Sequence, residues 1–159
     1  SFDNEMKKKG LKPSTKLLNL EVTKCDEKIS KALNLPIGSE VVKLTRLRFA
    51  DDEPIVLVIT YLPHDKCMGI MHKDLEKESL YDILENDFGY SISRATRTLE
   101  SIVAGEYEAK LLGIKKGAPI QYFESVAYLT DNTPIEYSLA KYRGDRNKFS
   151  FELKREGFF

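Results

Sequence analysis

The chain has 159 residues, 42% hydrophobic and 31% charged, which is the profile of one compact domain and not of a tail, a fibre or a solenoid. Lys plus Arg and Asp plus Glu number 25 each, and that balance excludes a generic polyanion binder, whose backbone contacts need a surplus of cations. No apolar run approaches the roughly 20 residues that cross a bilayer, no leader pattern opens the chain, and Cys25 and Cys67 form no CxxC pair. A soluble cytoplasmic domain with no membrane partner, metal or cofactor is expected.

Residues 1–14 are polar and basic, with Lys7-Lys8-Lys9, Gly10 and Pro13, and read as a connecting arm. The chain opens on Ser1, so a longer parent protein is expected. From Thr15 to Cys25, Leu18, Leu20 and Val22 alternate with polar residues at the period of a half-buried strand. Asp26 is placed to cap a short helix carrying Ile29, Ala32 and Leu33. Strands are predicted over 40–50 and 54–63 around the Asp51-Asp52-Glu53 turn, the second of them nearly all apolar and so central. Residues 64–78 read as irregular, and Ser79-Leu80-Tyr81-Asp82 as the cap of a helix that Gly89 stops. A strand over 91–103, a helix over Glu106–Leu112 and strands over 119–129 and 134–143 follow. Phe149, Phe151 and Leu153 alternate as in a last strand, and with Phe158 and Phe159 read as core or subunit contact.

The list is organised by a repeat. Leu33-Asn34-Leu35-Pro36-Ile37-Gly38 and Leu112-Gly113-Ile114-Lys115-Lys116-Gly117 each precede a strand, an acidic turn, a Pro-Ile pair and a second strand. Two copies make a duplicated helix–hairpin unit and not a solenoid. Their hairpins are expected to join in one antiparallel sheet with the short helices on one side, an α+β fold.

Strand alternation then locates candidate chemistry. Val42, Leu44, Arg46 and Arg48 share one face, and Glu136, Ser138, Ala140 and Tyr142 share another. Brought together, these faces make a pocket with two guanidiniums, a carboxylate and a phenol over a floor of small residues. A guanidinium pair suits a phosphate or carboxylate, because its donors meet two oxygens at once. Glu136 suits a hydroxyl or amine on the same molecule, and Ser79 adds a hydroxyl at a helix start. Arg46 or Arg48 with Glu136 also fits a plain cross-sheet ion pair. His64, Asp65, Cys67 and His72 match no standard metal spacing and read as a surface loop, and Arg143-Gly144-Asp145 reads as a turn. There is no G-x-S-x-G, Walker loop, dinucleotide fingerprint or HExxH, and no nucleophile beside an obvious base, so no catalytic residue is assigned.

The same residues resemble a known family. Arg46-Leu47-Arg48-Phe49-Ala50-Asp51, Glu53-Pro54-Ile55 and Tyr61-Leu62-Pro63 are similar to the effector-binding (UTRA) domain of bacterial GntR-type transcription regulators of the HutC subfamily. The similarity runs on through Asp74-Leu75, Ser79-Leu80-Tyr81, Phe88-Gly89, Ala109 to Leu112, Gly117-Ala118-Pro119 and Pro134-Ile135-Glu136-Tyr137-Ser138, and closes with Tyr142-Arg143-Gly144-Asp145-Arg146 and Phe149. The pieces are short, but their order and spacing are specific. The resemblance implies a chorismate-lyase-like fold over 15–159. Residues 1–14 become the end of a linker from a winged helix–turn–helix domain, through which operator DNA is bound. It implies a homodimer and a small-molecule effector, often a sugar phosphate, whose contacts fall on Arg46, Arg48, Ser79, Tyr81, Glu136 and Tyr142. Val58 departs from a Glu that many relatives carry, which argues against an amino-sugar phosphate. The expected function is ligand sensing with allosteric control of DNA binding, and not catalysis. Two alternatives remain: a chorismate-lyase-like enzyme, which pyruvate release from chorismate would reveal, and a bare dimerisation module, which no small anion would stabilise.

Overall fold

In the computed structural model, which describes residues 2–155, six strands form one antiparallel sheet in the order β1-β2-β3-β6-β5-β4. The strands are β1 (Pro13–Lys24), β2 (Glu40–Ala50), β3 (Glu53–Pro63), β4 (Ile92–Val103), β5 (Pro119–Leu129) and β6 (Pro134–Arg143). The helices are α1 (Phe2–Lys8), α2 (Glu27–Leu33), α3 (Leu80–Asp82) and α4 (Glu106–Leu112). The order is symmetric about the β3–β6 seam. Each half runs strand, helix and hairpin, β1-α2-β2-β3 and then β4-α4-β5-β6, so the sequence repeat is a structural repeat extended by one strand.

Local chemistry accounts for most elements. The Asp26 carboxylate accepts from the Ile29 amide at 2.9 Å and starts α2, and Gly113 ends α4 at φ 66°. The β2–β3 hairpin turns through Asp51 and Asp52 with φ of 47° and 64°, the left-handed pair that a tight turn between twisted strands requires. Asp51 repays this conformation by accepting the Lys12 amide at 2.7 Å. Gly144 follows β6 where a Cβ would lie 2.9 Å from the Pro119 carbonyl oxygen, so only glycine lets the two backbones approach.

The two sheet faces are covered differently. On one, α2 packs Ile29 and Leu33 against Val41 and Tyr137, while Leu112 of α4 packs with Leu47, Leu57 and Ile120. The other face is covered, among the described residues, chiefly at its two ends. At one end lie residues 64–87, with two 3-10 turns, α3 and a π-helical turn over Ile83–Asp87, burying Cys67, Ile70, Leu75, Leu80, Ile83 and Leu84 against Val42, Leu44 and Leu62. At the other end α1 sets Phe2 and Met6 on Ala50, Ile55 and Val56. The helices therefore lie on both faces, not on one as expected.

Within the stretch read as a connecting arm, residues 2–8 form a helix, because Phe2 and Met6, four apart, bury one stripe against the sheet. Residues 148–153 form no strand: Phe149 packs edge-on against Phe123 and Tyr142 at 4.8 and 4.9 Å, while Phe151 and Leu153 are exposed. Phe158 and Phe159 lie outside the described residues. The letters Arg-Gly-Asp at 143–145 are a structural clamp. Buried Arg143 donates to both Asp145 carboxylate oxygens at 2.8 and 3.0 Å, to the Leu112 carbonyl at 3.0 Å and to the Pro54 carbonyl at 3.2 Å. No described helix is long and apolar enough to cross a membrane.

Candidate functional site

Between α1 and the 64–87 cover the sheet face opens into a cavity of about 300 Å³. Its floor is built by register. Arg46 of β2 lies opposite Val58 of β3, Val58 opposite Ala140 of β6, and Ala140 opposite Phe123 of β5. One row along, Thr60 lies opposite Ser138, and Ser138 opposite Ser125. Small side chains at these crossings leave the volume that longer ones at the margins reach into. Arg46, Arg48, Ser79, Tyr81, Glu136 and Tyr142, the six residues singled out in the sequence, all line this cavity.

The polar groups are unequally satisfied. Glu136, 6% exposed, accepts from the Tyr81 hydroxyl at 3.3 Å. Burial pushes its carboxyl up to about 7 against the opposing pull of Arg46, so neutral and ionised forms coexist near neutral pH. Arg46 is 4% exposed, and burial, then the adjacent Arg48, pushes it down to about 9. It remains charged at pH 7. Burial lowers Arg48 as well, and its guanidinium lies 5.2 Å over the Phe2 ring. The Nε atoms of both arginines are buried without a hydrogen-bond partner, and neither residue forms an ion pair among the described residues. The cross-sheet ion pair with Glu136 is therefore not formed. Ser79 caps α3, its hydroxyl accepting the Asp82 amide at 3.5 Å, and so holds Tyr81 over the cavity. Burial raises the Tyr142 phenol, which packs edge-on against Phe123 at 5.7 Å.

Other lining residues escaped the sequence reading: Phe2 and Glu5 of α1, Thr60, Ser125 and Arg97. Arg97 sits on β4 in register with Ser125 and donates from Nε to its hydroxyl at 3.2 Å. Alternation within β4 puts Ala95 and Arg97 on one side, but only cross-strand register says which side that is. At the His64–His72 segment, as elsewhere among the described residues, no group of three or more metal-capable side chains gathers. Cys67 is part of the core, its thiol pushed up to about 12 by burial.

The UTRA domain model matches residues 8–148. The chain belongs to the UTRA domain family. Two regulators of Bacillus subtilis are similar to it across most of its length. The HTH-type transcriptional repressor NagR is 32% identical over 98% of this chain, and the HTH-type transcriptional regulator GmuR 29% over 90%. This UTRA chain spans 63% and 59% of those relatives' own lengths. The crystal structure of the effector domain of PhnF from Mycobacterium smegmatis superposes with a TM-score of 0.90 at 27% identity, covering 97% of this chain and 94% of that one. A GntR-family transcriptional regulator from Bacillus cereus superposes at 0.81 with 25% identity, over 89% and 99%. The α+β fold of the UTRA domain is thus that of effector domains of GntR-family regulators.

Proposed function

We propose that this UTRA domain senses a small anionic metabolite of the phosphorylated-sugar class. Occupancy of the cavity would control operator binding by a winged helix–turn–helix domain joined ahead of residues 1–14, in a cytoplasmic homodimer. The observation that carries the reading is the pair of buried, unpartnered Nε atoms on Arg46 and Arg48 at the cavity wall. A buried donor left unsatisfied costs about 1–3 kcal/mol, and a phosphate oxygen recovers that cost with charge-assisted bonds. Ser79, Tyr81, Glu136 and Tyr142 lie on the remaining wall, where hydroxyls of the same molecule would be read. Val58 presents an apolar surface opposite Arg46, which suits a sugar phosphate without an amino group there. Regulation follows from differential affinity of the effector for two dimer arrangements. A coupling of about 1–3 kcal/mol changes operator affinity about 5–150-fold.

A thermal-shift panel of phosphorylated sugars, free sugars and small carboxylates tests this. A compound at 100 times its dissociation constant adds about 2.7 kcal/mol of stability, several degrees in Tm. Hits confined to phosphorylated compounds are expected. Hits confined to uncharged sugars would overturn the assignment of the arginine pair.

A further inference from the structure

We infer that the effector carries a second anionic group, bound by Arg97 at the far side of the cavity from Arg46 and Arg48. The inference rests on the cavity being an effector site, and it narrows the chemical class. Arg46 and Arg48 reach in from β2, while Arg97 reaches in from β4, with β3, β6 and β5 between them. At the usual spacing of neighbouring strands the two backbones are about 19 Å apart. The arginine side chains therefore enter the cavity from strands on opposite sides of it, with Glu136 and Ser138 on β6 between those strands.

Arg97 is held in place without being neutralised. Its Nε donates to the Ser125 hydroxyl at 3.2 Å, and its guanidinium carbon lies 5.4 Å from the Phe123 ring centre. These two contacts orient the plane and leave both terminal nitrogens to meet a ligand. No carboxylate is ion-paired to it among the described residues, whereas Arg143 and Arg146 are paired with Asp145 and Glu53. Across the whole cavity three guanidiniums face two carboxyl groups, those of Glu5 and Glu136. Glu136 acts electrostatically on all three guanidiniums, on Arg46 most strongly, but no described carboxylate is in ion-pair contact with Arg97, so its terminal nitrogens are open to a second anion. A polyol chain with an anion at each end, such as a sugar bisphosphate or a phosphorylated sugar acid, meets both sides at once.

Titration calorimetry with three probes tests this on the 159-residue chain: a hexose 6-phosphate, the matching hexose 1,6-bisphosphate and the matching hexonate 6-phosphate. At least one two-ended probe is expected to bind about tenfold tighter than the hexose 6-phosphate, the effect of one added charge-assisted contact. Arg97→Gln should erase that advantage, leave hexose 6-phosphate binding within about threefold and leave Tm unchanged, while Arg97→Lys should restore part of it. Equal affinity of all three probes for the unaltered chain would overturn the inference. So would an Arg97→Gln variant that loses affinity equally for all three, because that is the signature of a structural arginine. In either case the anion site on Arg46 and Arg48 would stand. Failure of every phosphorylated probe to bind would overturn that site and this inference together.

Discussion

Arg46 and Arg48 stand two residues apart on an interior strand, so both side chains must leave the same sheet face, and that much is visible in the sequence. The same alternation gives Glu136 and Tyr142. Alternation cannot show what lies across the face. Whether Arg46 meets a carboxylate or an empty cavity depends on the register of four other strands, and the structure gives Val58 as its cross-strand neighbour. Glu136 carries the clearest consequence at this scale. Its carboxyl is raised from 4.5 to about 7, so between those values the folded chain holds a proton that the unfolded chain has lost. Stability from this group is full below about pH 4.5 and is lost as pH rises through 7, by on the order of 3 kcal/mol. Urea unfolding of the unaltered chain and of Glu136→Gln at pH 5 and pH 8 reads this. The unaltered chain should lose stability relative to the variant across that interval. A constant difference between the two would mean that Glu136 is already ionised throughout.

At the scale of elements, capped and patterned segments were legible and short packed ones were not. Asp26, Ser79 and Gly113 mark α2, α3 and the end of α4 in the sequence because caps are local chemistry. The helix α1 has only Phe2 and Met6 as a periodic signal, and a seven-residue helix owes its stability to packing and not to propensity. Its ends are at least charged in the favourable sense, with Asp3 and Glu5 in the first turn and Lys7 and Lys8 in the last. The alternation of Phe149, Phe151 and Leu153 misled in the opposite direction. After β6 the Asn147 side chain donates to the Arg143 and Ile55 carbonyls at 2.8 and 3.4 Å, which lays Phe149 over Phe123 and Tyr142. Met6, 5% exposed, is the residue that tests α1 without touching the cavity wall. Met6→Ala should cost about 2 kcal/mol in urea unfolding, at the low end for a buried methionine because the site lies near the surface. A loss below about 0.5 kcal/mol would mean that α1 is not docked in solution.

For the whole molecule the duplication explains where the cavity is. The two hairpins meet at the β3–β6 seam, and the cavity spans it, taking Arg46 and Arg48 from the first half and Glu136, Tyr142 and Arg97 from the second. The halves have diverged at matching places. Arg46 lies opposite Val58 in the first hairpin where Ser125 lies opposite Ser138 in the second, so long cationic side chains on one side extend over small ones on the other. Arg143 ties the halves together by bonding the Leu112 carbonyl of α4 and the Pro54 carbonyl of β3. The repeat itself was readable in the two Pro-Ile hairpins, but its extension by β1 and β4 was not, because those edge strands share no motif.

The central claim is that the paired guanidiniums form an anion site, and inorganic phosphate is the simplest probe of it. We would follow the Tm of the unaltered chain and of Arg48→Ala as phosphate replaces chloride at constant ionic strength and pH. A rise of Tm with phosphate is expected in the unaltered chain, a flat response in Arg48→Ala, and cooperative unfolding of both in chloride. An equal response of the two proteins to phosphate, or an Arg48→Ala chain that no longer folds, would contradict it, because the arginine would then be structural.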